Sequence, residues 1–205
     1  MRSMSASVVR TMSGVKPVVL HQILRYVAGL ALAALAAMPA QASEEAAWAA
    51  LRQGGIVLFR HANAPGGGDP DGMRIGDCAT QRNLDEAGRA QARRIGETFK
   101  AQGVAVGQVL TSQWCRTRET AELAFPGRQQ DEPAFNSFFG DRAKAQAQTS
   151  TAKRILQDWR GPGAFVVSTH QVNITELTGI WPASGEGIVV RFEDSNLRVI
   201  GRIMP

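Results

Sequence analysis

Three short apolar, β-rich runs, GIVLF (55–59), QVLTS (108–112) and AFVVS (164–168), recur along the chain with helical patterns between them. Parallel strands need a long crossover connection, and a helix is the usual one. This alternation predicts an α/β fold with three layers: a mostly parallel central sheet and helices on both faces. After the first run comes a loop rich in Gly, Pro and Asp, reaching Gln81. NLDEAGRAQARRIGETFKAQG (83–103) then reads as a helix, with Asn83 and Glu86 at capping-box spacing, Leu84, Ala92, Ile95 and Phe99 on one face, and Gly103 as the stop. QWCRTRETAELAF (113–125) is a second helix ended by Pro126 and Gly127, and TAKRILQDW (151–159) a third. EPAFNSFFGDR (132–142) has no regular pattern. Beyond the third run, Asn173 and Glu176 again have capping-box spacing, with Val172 and Leu177 as a hydrophobic staple and Gly179 as the end. GIVVRFE and LRVIGRI, joined by DSN, predict a terminal hairpin.

Residues 1–42 are of another kind. Their only charges are Arg2, Arg10, Lys16 and Arg25, followed by the apolar run YVAGLALAALAAM and an A-x-A spacing at Ala40 and Ala42. That order is a secretory signal peptide cut before Ser43, leaving residues 43–205 as one domain. A membrane anchor is the other reading, but an apolar run this short falls below the roughly 20 residues a spanning helix needs. Four of the 23 basic residues and none of the 18 acidic ones lie in the leader, so the remainder carries 19 against 18. The net charge of +5 therefore belongs mostly to the leader, and neither nucleic-acid binding nor stable membrane insertion after cleavage is implied. The expected location is the periplasm or the outside of the cell. Nothing sets an oligomeric state.

Export bears on Cys78 and Cys115, the only two cysteines. An oxidising compartment lets such a pair form a disulfide, which would tie two loops together near the site described next. Two buried free thiols are the alternative.

Only two histidines follow the leader, His61 and His170, and each stands directly after an apolar strand. Ligands of parallel sheets bind beyond the carboxyl ends of the strands, so both imidazoles are expected at one edge. Ser112, Arg116 and Thr120 are spaced four apart, which places them on one helix face just beyond the second strand. A guanidinium presents planar paired donors that match phosphate oxygens, and a helix start favours an anion. Arg60, Arg116, His61 and His170 together point to a phosphoryl site. The alternative for the arginines is pairing with carboxylates such as Glu119 or Asp141.

These residues resemble the histidine phosphatase superfamily, whose members share a phosphoglycerate mutase-like fold. LFRHA matches its Arg-His-Gly signature with Ala62 in the glycine position. Ser112, Arg116, Thr120 and Ala121 match its S-x-x-x-R-x-x-x-T-A element in full. VSTHQ matches its late histidine motif at His170, and NLDEAGRAQA is similar to its L-T-x-x-G-x-x-Q-A segment. The resemblance implies phosphoryl transfer through a phosphohistidine. His61 would be the nucleophile, with Arg60, Arg116 and His170 binding the substrate's phosphoryl oxygens. No metal or other cofactor enters this scheme, and no ligand cluster in the sequence suggests one.

Two positions depart from the family's pattern. Its general acid is commonly a Glu in a loop after the third strand or an Asp following the late histidine; here Ser137 and Gln171 stand in those places. Asp141, Glu119 and Glu186 are candidate substitutes for the proton donor, with Asp77 a further one. The chain is thus expected to be a phosphomonoesterase acting on a small phosphorylated substrate, such as a sugar or lipopolysaccharide-core phosphate. The other reading is a phosphate-ester-binding protein with little or no turnover. Substrate choice would fall to the first long loop, where Asp69, Asp71, Arg74, Asp77 and Arg82 could reach a ligand, and to Trp181, which either stacks on a sugar or caps the core.

Overall fold

The computed structural model describes residues 39–205. Residues 1–38 of the expected leader lie outside that range; its last four residues start a helix, α1 (Pro39–Arg52). The packed part of α1 lies after the expected cleavage point: Ala47, Trp48, Ala50 and Leu51 are buried. Trp48 meets the ring of Phe99 edge-on at 5.4 Å.

Strands β1 (Ile56–Arg60), β2 (Val106–Thr111), β3 (Gln129–Asp131), β4 (Ala164–Thr169), β5 (Gly187–Glu193) and β6 (Asn196–Ile203) form one sheet in the order β3-β2-β4-β1-β5-β6. The first four are mutually parallel, and the terminal hairpin β5–β6 adds antiparallel to β1. In β1 the side chains alternate between two cores. Val57 and Phe59 join Ile95, Phe99, Val109 and Val166 beneath α1, α2 (Glu86–Ala101) and α3 (Cys115–Ala124). Ile56 and Leu58 join Leu110, Phe135, Leu156, Val167 and Ile174 on the face covered by α4 (Ala145–Gln157) and α5 (Gln171–Thr178). Burial on both faces is why β1 and β4 read as unbroken apolar runs and not as alternating ones.

Several boundaries differ from the sequence expectations, each for a local reason. Asp85, and not Asn83, caps α2: its carboxylate accepts from the Gly88 N–H at 2.7 Å, while the Asn83 amide donates to the Cys78 carbonyl. Helix α3 starts at Cys115, so Ser112 lies at the strand exit and not on the helix face with Arg116 and Thr120. The Asn173–Glu176 pair falls inside α5, whose N-cap is His170; the buried Asn173 amide bonds the Asn136 carbonyl at 2.9 Å. Helix α4 begins six residues before the expected start, in the polar stretch AQAQTS. Strand β3, a polar three-residue edge, carries no apolar signal.

One close approach positions the site. A Cβ on Gly88 would lie 2.0 Å from the Asn63 carbonyl oxygen, so only glycine lets α2 press against the chain immediately after His61.

Candidate active site

Strands β1 and β4 run side by side and in register, with Arg60 opposite Thr169. His61 and His170 therefore leave the sheet together, and their rings lie 5.7 Å apart, centroid to centroid. Both are almost fully buried, at 2 % and 3 % exposure. The ladder continues one step further, the His61 N–H bonding the Thr169 carbonyl at 2.9 Å. Thr120 then latches the next residue: its hydroxyl accepts from the Ala62 N–H at 3.0 Å and donates to the Arg116 carbonyl at 2.7 Å. That threonine holds the His61 loop to α3, and so fixes His61 relative to Arg116.

His61 Nδ1 is 2.8 Å from the Ala62 carbonyl oxygen. A carbonyl only accepts, so Nδ1 carries the proton and Nε2 keeps its lone pair. Burial, followed by the charge of Arg116, pushes His61 down to about 3; the Ala62 bond opposes this, and Arg82 and Arg60 add to it. His61 is neutral at physiological pH. Burial, Arg116 and His61 likewise hold His170 well below its ordinary value. Its Nδ1 lies 3.4 Å from an Arg116 Nη, which can only donate, so His170 Nε2 donates to Ser112 Oγ at 2.8 Å.

A cavity of about 220 Å³ opens on these groups, lined by Arg60, His61, Arg82, Arg116 and His170. Arg82 belongs to this set, although the sequence marked it only as a loop residue able to reach a ligand. The Nε–H groups of Arg60, Arg82 and Arg116 are buried and find no partner among the described residues. Three guanidiniums around one hollow suit an anion. The start of α3 contributes less than expected, because Ser112 Oγ and Gln81 Oε1 already accept from the Trp114 and Cys115 N–H groups.

Arg116 is paired, but with neither carboxylate the sequence suggested. Its two Nη atoms grip both oxygens of Asp69, at 2.7 and 3.1 Å. Trp114 Nε1 at 3.0 Å and the Arg82 N–H at 3.1 Å complete the Asp69 shell. Burial would raise this carboxyl; the Arg116 bonds and charge outweigh it and hold Asp69 below the usual range.

None of the three expected proton donors lines the cavity. Asp141 pairs with Lys144 at 3.0 Å on the surface, and Glu119 lies 3.6 Å from Arg89. Glu186 is buried but bound to Arg202 and to the Ala183 N–H. The Arg202 pair and the Ala183 bond outweigh its burial and keep it ionised. Asp77 pairs with Arg74 and caps a single turn. Ser137 and Gln171 do line the cavity, at the places where the resemblance led one to expect an acid. Trp181 and Phe139 stand at its mouth, 69 % and 64 % exposed, so Trp181 does not cap the core.

Cys78 and Cys115 form a disulfide, Cα–Cα 5.7 Å, joining the first long loop to the residue before Arg116. The bridge thus braces the loop that carries Asp69 and Arg82 against the helix that carries Arg116.

The family model described as "Histidine phosphatase superfamily (branch 1)" matches residues 56–159. Among the curated proteins no match is found. Solved structures share the fold at low identity. The product of open reading frame Rv3214 from Mycobacterium tuberculosis is 13 % identical, TM-score 0.54, over 72 % of this chain and 96 % of that one. The protein histidine phosphatase SixA complexed with tungstate is 16 % identical, TM-score 0.51, over 73 % and 96 %. Phosphoglycerate mutase from Thermus thermophilus is 17 % identical, TM-score 0.50, over 72 % and 97 %. With a family match over half its length and the motif residues His61, Arg116 and His170 gathered around one cavity, this chain belongs to the histidine phosphatase superfamily.

Proposed function

We propose that this chain is a phosphatase that hydrolyses a phosphomonoester in two steps, through a phosphohistidine on His61. The observation that carries the reading is the state of His61: neutral, with Nδ1 held by the Ala62 carbonyl and Nε2 free, on a cavity lined by three guanidiniums. A nucleophilic imidazole needs that tautomer. In the first step Nε2 bonds to phosphorus as the ester P–O bond breaks. Arg60, Arg82 and Arg116 take up the charge on the phosphoryl oxygens. A bound dianion also favours protonated His170, which then donates from Nδ1. In the second step water attacks the phosphohistidine and releases phosphate. The scheme uses no metal or other cofactor.

The leader and the Cys78–Cys115 bridge support an exported protein, periplasmic or secreted. Exposed Trp181 and Phe139 at the cavity mouth offer flat apolar faces, which favours a sugar phosphate or lipopolysaccharide-core phosphate as the small substrate. Tungstate, held by the SixA neighbour, is a tetrahedral oxyanion, in keeping with an oxyanion as ligand here.

Ser137 and Gln171, in place of an acid, favour a second reading, a phosphate-ester-binding protein without turnover. Mature protein assayed on aryl phosphates and phosphosugars separates the two. Phosphate release that disappears in His61→Ala supports the enzyme; saturable binding of phosphate or vanadate with no release supports the binding protein.

A further inference from the structure

We propose that Asp69 is the proton donor and, in the second step, the general base of this enzyme; the inference rests on the phosphatase reading above. Asp69 is the one carboxylate among the described residues that line the cavity. It sits on the same guanidinium that the phosphoryl group must use, with both oxygens on Arg116 Nη atoms. Arg116 and Asp69 both line the cavity, so a phosphoryl group that reaches an Arg116 Nη meets Asp69 on the same guanidinium. The carboxyl is then a neighbour of the scissile ester.

The same contact supplies the proton. Before substrate binds, Arg116 keeps Asp69 ionised. A phosphoryl dianion that draws an Arg116 Nη to itself frees one Asp69 oxygen, and the two anions take up one proton from solvent, shared between that oxygen and a phosphoryl oxygen. When His61 Nε2 bonds to phosphorus and the P–O bond breaks, the carboxyl proton passes to the departing oxygen, giving a neutral alcohol and the Asp69 carboxylate. That carboxylate next accepts a proton from the attacking water as the new P–O bond forms. The P–N electron pair returns to Nε2 and inorganic phosphate leaves, protonated Asp69 losing its proton to solvent.

The test is the dependence of kcat/KM on the leaving group. Wild type, Asp69→Asn and Asp69→Ala are each assayed on 2,4-dinitrophenyl, 4-nitrophenyl, phenyl and benzyl phosphates. The Asn variant keeps the shape of the side chain and one oxygen, able to accept from either Trp114 Nε1 or the Arg82 N–H. General acid catalysis contributes about 100-fold or more where the leaving oxygen needs a proton, so both variants lose at least that on benzyl phosphate and under about fivefold on the dinitrophenyl ester. The comparison is a ratio within one variant, so a smaller folded fraction leaves it unchanged. A uniform loss on all four esters overturns the proposal and leaves Asp69 a brace for Arg116. Unchanged turnover with tighter binding of inorganic phosphate also overturns it, as Asp69 would then be only a competing anion. A wild-type protein inactive on every ester overturns the phosphatase reading itself, and this inference falls with it.

Discussion

Acidification from about pH 7.5 to about pH 5 weakens this fold by an amount His61 sets in large part. In the unfolded chain the imidazole titrates at 6.5; in the fold burial and three arginines hold it at about 3. Between those values the unfolded chain binds a proton that the folded protein refuses. Stability attributable to His61 is therefore complete above 6.5, falls as the pH falls, and levels off near 3. For one such group the linkage integral between about pH 7.5 and 5 is about 2 kcal/mol. His170 has the same sign, so the comparison is made against His61→Asn, which keeps His170 and an amide able to donate to the Ala62 carbonyl. The depressed carboxyls of Asp69 and Glu186 are present in both proteins, which keeps them out of the difference. The assay is urea unfolding under non-reducing conditions at both pH values. With a slope of about 2 kcal/mol/M, the wild-type midpoint drops roughly 1 M further than that of the variant. Parallel pH dependence in the two proteins refutes a buried neutral His61.

Two further predictions test the scaffold around the site. Thr120→Val strands the buried Ala62 N–H and frees the loop after His61 from α3; it lowers stability by about 1–3 kcal/mol in urea unfolding and reduces kcat more than KM. Replacing both Cys78 and Cys115 by Ser removes a bridge across 37 residues; the unfolding free energy falls by about 4 kcal/mol at most, measured against the unreduced wild type, and the aryl phosphatase rate falls with it.

The sheet was legible because its buried strands cannot hide. GIVLF and AFVV are apolar throughout, since β1 and β4 bury both faces. The polar edge β3 was not, as QQD carries neither period nor apolar weight. Helix α5 was misplaced because Asn173 and Glu176 have the spacing of a cap, whereas Asn173 spends its amide on a tertiary bond to Asn136. His61, His170 and Arg116 were readable as site residues because each follows a strand, and strand direction fixes where they emerge. Asp69 and Arg82 were named only as members of a long loop. Such a loop has no period from which to project a side chain; the Arg82 N–H, Trp114 and Arg116 contacts that fix Asp69 come from residues 13 to 47 positions away. The expected acids failed for the same reason, each being held by a surface or tertiary cation that spacing does not disclose.

The central claim is that His61 carries the phosphoryl group. Mature protein mixed with an aryl phosphate, quenched in alkali during turnover and mapped by peptide mass, tests it most directly, because phosphohistidine survives base and is lost in acid. The account predicts the mass of one phosphoryl group on the peptide containing His61, absent after acid treatment and absent from His61→Ala. Steady phosphate release with no such adduct, persisting in His61→Ala, contradicts it.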